Sequence, residues 1–507
     1  MNMLYRYKHP LPIRFLFVLL MSGAWIASCK KFVSIPPPPD QLVGTNIYND
    51  SVSAAGVLTG IYSRMSEGSY TIYGNPTITY TGATTGPNSI AVYGGLSSDE
   101  FIAYPNISST TQLRAYVNAL NASDQLIWQD AYQFISTAND AIQGITNAGA
   151  KISLRVKKQL LGEAHFIRAF WYFYLTNFFG DVPLAVTTDY KQNAQLPRSP
   201  QSAVYQLIVS DLITAKDSLN DFYVENDAVT STSSTERVRP NKWAAAALLA
   251  RVYLFMGKYP EAEAEATGVI GQSAKYILNP DLNSVFLNSS KEAIWQLEPV
   301  QPYSSTEDGK TLYALFGPNS YANPVTMSQD LYNAFEPGDQ RQVDWTGSTT
   351  VNGTTYYYPA KYKVWYITIP VTEYLMMLRL GEQYLIRAEA RARQNNITGA
   401  GGAQADLNAI RERAGLPDNT TATTLTPMLA AIEQEKRIEL FSEWGHRWLD
   451  LKRESGFSNA AISRADEIMP AVTTAKGGTW SADSKLYPVP FTDLQLDPNL
   501  SQNKGYN

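Results

Sequence analysis

Three sets of residues in this chain have the types and spacing that chemistry asks for. The first is Cys29, the only cysteine, which directly follows Ile26-Ala27-Ser28. Small residues before a thiol let a peptidase cleft admit the backbone closely, and the freed sulfur can then carry an acyl chain. The second is Glu435, Glu439 and Glu443, four residues apart and so on one helix face, with Arg447 at the next step and Lys436 and Arg437 alongside. Glycoside hydrolysis needs two carboxylates flanking a sugar. Carboxylates interleaved with cations are more simply a structural ion network, and that is the expectation here. The third set is aromatic: 32 Tyr and 10 Trp must pack somewhere, and some should line a ligand surface.

Two stretches mix such aromatics with amides and carboxylates. One holds Tyr70, Tyr73, Asn75, Tyr80, Asn88, Tyr93 and Asp99; the other holds Trp295, Tyr303, Tyr313, Asn319, Tyr321 and Asn323, with Trp345 and Tyr356-Tyr357-Tyr358 further on. Sugar rings offer faces of C–H groups that stack on aromatic rings, while their hydroxyls need amide or carboxylate partners. The candidate ligand-binding residues are therefore Tyr73, Asn75, Tyr80, Tyr93, Trp295, Tyr313, Tyr321 and Trp345.

Other chemistries lack their residues. Beyond His9 the chain has only His165 and His446, and it contains no His-Glu-x-x-His, Cys-x-x-Cys, phosphate-cradling glycine loop or Gly-x-Ser-x-Gly elbow. His165 falls on the flank of a buried helix and is expected to be a packed, hydrogen-bonded histidine. No catalytic residue, metal or cofactor is expected. A formal net charge of −5 with 17% charged residues gives no basic footprint for nucleic acid.

The elements that must position these residues are mostly helical. At the N-terminus, Arg6, Lys8 and Arg14 precede an uncharged apolar run over residues 15–27, too short for the ~20 residues of a membrane span and ending at Cys29. Residues 1–28 read as a lipoprotein signal peptide. Residues 29–45, containing Pro36-Pro37-Pro38-Pro39, read as a lipidated, stiff, extended tether. Lys30 and Lys31 follow the cysteine, leaving open which leaflet the anchor occupies. Further on, Val156, Leu160, Ala164, Ile167, Trp171, Tyr174 and Phe178 repeat at helical spacing, predicting a helix over residues 153–179 that is bulky on every side in its second half. A second helix is predicted over 202–219, a helical hairpin over 241–272 turning near Gly257 and Pro260, and a further pair over 382–394 and 404–414. Helix-turn-helix units with small residues at their crossings suggest tetratricopeptide-like repeats.

Particular runs also resemble a known family. Glu163-Ala164-His165-Phe166-Ile167-Arg168-Ala169-Phe170-Trp171-Tyr172, continuing to Phe179-Gly180-Asp181-Val182-Pro183-Leu184, resembles the signature of SusD/RagB proteins. Leu248 to Leu254 with Gly257-Lys258-Tyr259, Glu435 to Leu440 with Asp450-Leu451-Lys452-Arg453, and Leu486-Tyr487-Pro488-Val489-Pro490 match in order along the chain. The resemblance implies a mainly α fold of about four tetratricopeptide-like units, with long aromatic-rich excursions of loop and short strand forming a ligand face. On that reading residues 46–507 are one domain. Its helical core covers about 48–66, 124–273 and 373–454, its excursions about 67–123 and 274–372, and an extended segment 455–507. The implied function is that of a surface-exposed, lipid-anchored outer-membrane protein without catalysis: capture of an oligosaccharide and delivery to a SusC-like TonB-dependent transporter. The alternatives are a peptide-binding RagB-like uptake component and, behind it, a surface glycoside hydrolase.

Overall fold

Side-chain caps mark where the helices begin. The Ser153 hydroxyl accepts the Val156 N–H at 3.4 Å and opens a 26-residue helix, while the Asn241 carboxamide accepts the Trp243 and Ala244 N–H groups at 3.0 Å each. Both stand at the predicted starts. The computed structural model describes residues 47–67, 89–124, 126–232, 235–300, 305–319, 323–365 and 370–506. From Tyr48 onward they belong to one compact unit.

Its frame is α1 (Ser51–Glu67), α2 (Trp128–Asn147), α3 (Leu154–Phe179), α4 (Gln201–Ser218), α5 (Lys242–Phe255), α6 (Tyr259–Ile270), α7 (Leu380–Arg393), α8 (Ala403–Arg413), α9 (Leu425–Glu439), α10 (His446–Arg453) and α11 (Arg464–Ala475). Neighbours in sequence pack on one another from α2 through α8 in the tetratricopeptide-like manner, with α9 closing on α7. Met256, Gly257 and Lys258 alone join α5 to α6, so the chain must double back. Alanines permit the close crossing: Ala250, Ala262, Ala266 and Ala390 share one core cluster across α5, α6 and α7. Every residue of α3 from Phe166 to Thr176 is buried, as its all-round bulk requires.

Polar residues of the family-like signature tie this frame together. Glu163 is fully buried and accepts the Tyr62 hydroxyl at 2.7 Å and the Arg239 guanidinium at 2.6 Å. Arg168 holds Asp211 at 2.7 Å and Asn139 at 2.9 Å, and His165 Nδ1 lies 2.7 Å from the same aspartate. His165 is thus a packed scaffold residue, as expected.

Six strands carry the excursions: β1 (Phe101–Ala103), β2 (Ala293–Leu297), β3 (Val325–Met327), β4 (Thr346–Val351), β5 (Thr354–Pro359) and β6 (Leu375–Arg379). β2 pairs antiparallel with β6, and the other four form one antiparallel sheet in the order β1-β3-β5-β4. That sheet joins the two excursions, since β1 comes from the first and β3, β4 and β5 from the second. Asn352 and Gly353 both take positive φ, 51° and 80°, giving the two-residue turn whose twist suits a tight hairpin between β4 and β5.

Two expectations about the excursions need correction. The segment 67–123 is not all loop and strand: Ser89–Ser97 is a helix with every residue buried. Its glycines, alanine and serines give no polar–apolar period because no side of it meets water. The segment 455–507 is not uniformly extended either, for it contains α11, capped by Ser463, and the short helix Phe491–Leu496.

The glutamate cluster lies at the centre of a buried ion network. Glu439 meets Arg341 at 2.9 Å and Arg379 at 2.5 Å, and also pairs with Arg413. Arg379 reaches Glu443 at 2.8 Å and Glu292 at 3.0 Å; Glu435 takes Arg341 at 2.6 Å; Lys361 donates to Glu443 at 2.5 Å. Burial pushes the Glu439 carboxyl up, but Arg413, Arg379 and Arg341 together outweigh it and hold it well below the usual carboxylate range. The expected structural network is therefore present, although its partners come from other elements rather than from the same helix. Arg379→Met would leave Glu439, Glu443 and Glu292 short of a counter-cation. It is expected to cost about 3–5 kcal/mol in urea unfolding, and an unchanged midpoint would contradict the central place given to this network.

Candidate functional site

The alternation of a strand decides which rings of the sheet can meet a ligand. In β5, Tyr356 and Tyr358 share one face and Tyr357 takes the other. Met327 stands opposite both Tyr357 and Phe101, so Thr326 and Ile102, and with them Tyr104, share the face of Tyr356 and Tyr358. There the rings form a strip. Tyr104 meets Tyr356 edge-on at 5.7 Å and its hydroxyl bonds Thr326 Oγ1 at 2.5 Å; Tyr313 meets Tyr358 edge-on at 5.0 Å. Gly317, at φ 80°, approaches Val351 and Tyr356 so closely that a Cβ would lie 3.0 Å and 3.7 Å from their side chains. The preceding residue, Phe316, projects with 68% of its surface exposed and packs edge-on to Trp365 at 5.4 Å. On the opposite face Tyr357 stacks on Tyr332 at 3.7 Å.

Beside β1 lies a cleft of about 400 Å³, lined by Phe101, Ile102 and Tyr116 with Asp99, Ser328, Asp330 and Lys476 as polar groups. Burial raises the Tyr104 hydroxyl above its ordinary range, with Tyr356 and Tyr116 among the neighbours adding to the rise, so it stays a protonated donor. Burial pulls the Lys476 ammonium down to about 7; it bonds the Leu96 and Ser98 carbonyls and lies 4.9 Å from the Tyr116 ring. Asp330 has 77% of its side chain exposed, although it meets Arg437 at 2.8 Å. The arrangement offers ring faces flanked by donors and acceptors. Among the described residues no group of three His, Cys, Asp or Glu could hold a metal ion, and no helix is long and apolar enough to cross a membrane.

The residues singled out from sequence fare unequally. Tyr313 lies in the strip, half-buried. Cys29, Tyr73, Asn75, Tyr80 and Tyr321 lie outside the described residues. Tyr93, Trp295 and Trp345 are in the interior, which removes them from any ligand surface. Tyr93 belongs to the buried helix Ser89–Ser97 and is 2% exposed. Trp295 is enclosed by Tyr62, Phe166 and Phe170 and donates its indole N–H to the Val238 carbonyl at 2.8 Å. Trp345 donates to the Leu282 carbonyl at 3.0 Å, and its ring lies within 6 Å of three cations of the ion network, with Lys361 nearest at 4.8 Å. Sequence reasoning passed over Tyr104, Tyr116, Phe316 and Trp365. The Asn352-Gly353 turn between Thr- and Tyr-rich runs was the available signal for the hairpin that organises the strip.

Comparisons with known proteins agree with one another. The family described as "SusD family" matches residues 346–506, and the one described as "Starch-binding associating with outer membrane" matches residues 78–254. SusD-like protein P2 of Formosa agariphila is 29% identical over 76% of this chain and 81% of its own length. A SusD superfamily protein from Bacteroides vulgatus superposes with a TM-score of 0.72 at 18% identity, covering 90% of this chain and 99% of that one. A laminarin binding SusD-like protein superposes with a TM-score of 0.66 at 22% identity, covering 90% and 100%.

Ring burial separates two outcomes. Trp295→Ala is expected to lose about 3–5 kcal/mol of stability in urea unfolding. Phe316→Ala should leave that midpoint in place and weaken oligosaccharide binding about fivefold, the worth of one stacked ring of ~1 kcal/mol.

Proposed function

The chain belongs to the SusD-like family, and from that premise we propose that it is a non-catalytic lipoprotein that captures oligosaccharides at the outer membrane. The observation that carries the reading is the strip of Tyr104, Tyr313, Phe316, Tyr356 and Trp365, ring faces gathered from two remote stretches onto one side of a sheet. A pyranose stacks its C–H face on such rings, while the exposed Asp330 carboxylate and the tyrosine hydroxyls can serve its own hydroxyls. Membership of a family described as starch-binding and outer-membrane associated supports the same ligand class, as does the likeness to a laminarin binding protein. The buried glutamates offer no rival chemistry, because arginines already occupy their oxygens. In this reading residues 1–28 are removed, Cys29 carries the lipid, residues 29–45 hold the body off the membrane, and the loaded protein passes its sugar to a SusC-like TonB-dependent transporter.

Titrating the protein with laminarin and starch oligosaccharides, and separately with peptides, tests the ligand class through tyrosine and tryptophan fluorescence. Saturable quenching by a glucan without release of reducing ends is expected. Response to peptides alone would transfer the assignment to a peptide-uptake component, and steady product release would make it a hydrolase. For the anchor, Cys29→Ser is expected to move the protein from the membrane pellet to the soluble fraction with its unfolding midpoint unchanged; retention in the pellet would refute lipidation at that residue.

A further inference from the structure

In a chain of formal charge −5, one cleft collects cations. It measures about 290 Å³ and is lined by Asn177 and Gln201, by Lys452 and Arg453 of α10, and near the C-terminus by Lys485, Lys504 and one carboxylate, Asp483. Three of its four cations have carboxylate partners. Arg453 meets Glu389 and Asp450 at 2.6 Å each, Lys485 pairs with Asp466, and Lys504 lies a loose 3.4 Å from Asp483. Lys452 differs. Among the described residues no carboxylate pairs with it; its ammonium bonds the Asn177 carbonyl and sits 5.1 Å from the Phe178 ring and 5.5 Å from the Trp448 ring. An ammonium has three N–H donors, so two remain for whatever enters the cleft.

We propose that this cleft binds an oxyanion group (sulfate, phosphate or carboxylate) through Lys452, with Lys504 at its rim. Burial and the neighbouring Lys485 pull the Lys452 ammonium down to about 7, so the folded protein disfavours this charge, and an entering anion supplies the counter-charge that is missing. The site stands apart from the aromatic strip in the residues that line it and does not depend on the glycan reading. Its ligand is either a free inorganic anion or the same group carried on a sugar.

Isothermal titration of the full chain with sodium sulfate, at ionic strength held constant with sodium chloride, tests the site. Saturable binding is expected, weakened at least tenfold in Lys452→Met and several-fold in Lys504→Glu. A sulfated oligosaccharide that competes with sulfate, where its unsulfated counterpart does not, identifies a sugar-borne group; failure of both to compete identifies the free anion. Absence of saturable binding, or equal affinity in wild type and both variants, overturns the proposal. If Lys452→Met does not fold, Lys504→Glu decides alone, because its side chain is 88% exposed and outside the core.

Discussion

The demand that buried charges be matched organises this molecule. Glu439 is fully enclosed, and its three guanidinium partners come from a short helix of the second excursion, from the end of β6 and from α8. A charge removed from water is tolerable only with close, well-oriented partners. Helical frame and excursion therefore cannot separate without exposing or orphaning several ions at once. The aromatic strip inherits its rigidity from that constraint, since Lys361, two residues beyond β5, bonds the Glu439 and Phe441 carbonyls at 2.8 Å each as well as Glu443. Burial brings the Lys361 ammonium down to about 8 against the pull of Glu443, and it likewise raises the neighbouring Asp308 carboxyl to about 8. This region keeps ionisable groups close to their switching range for the sake of geometry.

Placement follows from there. The helices fix β2 and β6; the network fixes the segment between them; and β3 in that segment captures β1 from the first excursion. An aromatic surface assembled from short strands and loops gains, through this chain of attachments, the order of the helical frame. Rings on such a surface need little further ordering to bind, and that saves the entropy a mobile loop would lose.

The frame was largely legible in the sequence because helices announce themselves locally. Ser153 and Asn241 cap where short-range rules place caps, and the bulk around α3 correctly implied a helix without a wet side. The site was legible only as a pair of regions. An aromatic residue looks the same in the chain whether its ring packs inward or outward, and what decides is a partner far away in sequence. Trp295 is closed over by Tyr62 and Phe166, and Trp345 is claimed by Lys361, Arg379 and Arg413. Phe316 has no comparable cover and stays at the surface. Tyr104 was hidden for another reason, because its role arises only from the pairing of β1 with β3, a non-local contact that no periodicity in either strand reveals.

The β4–β5 hairpin is attached to the rest of its sheet with unusual economy. β5 meets β3 at a single register position, Met327 opposite Tyr357, while its pairing with β4 runs over six. Residues could be inserted or deleted in matched pairs at the Asn352–Gly353 tip without shifting that anchor, because a strand keeps its facing only when changed two at a time. The rim of the strip can therefore be lengthened, shortened or re-lettered by local mutation while the ion-locked interior stays as it is.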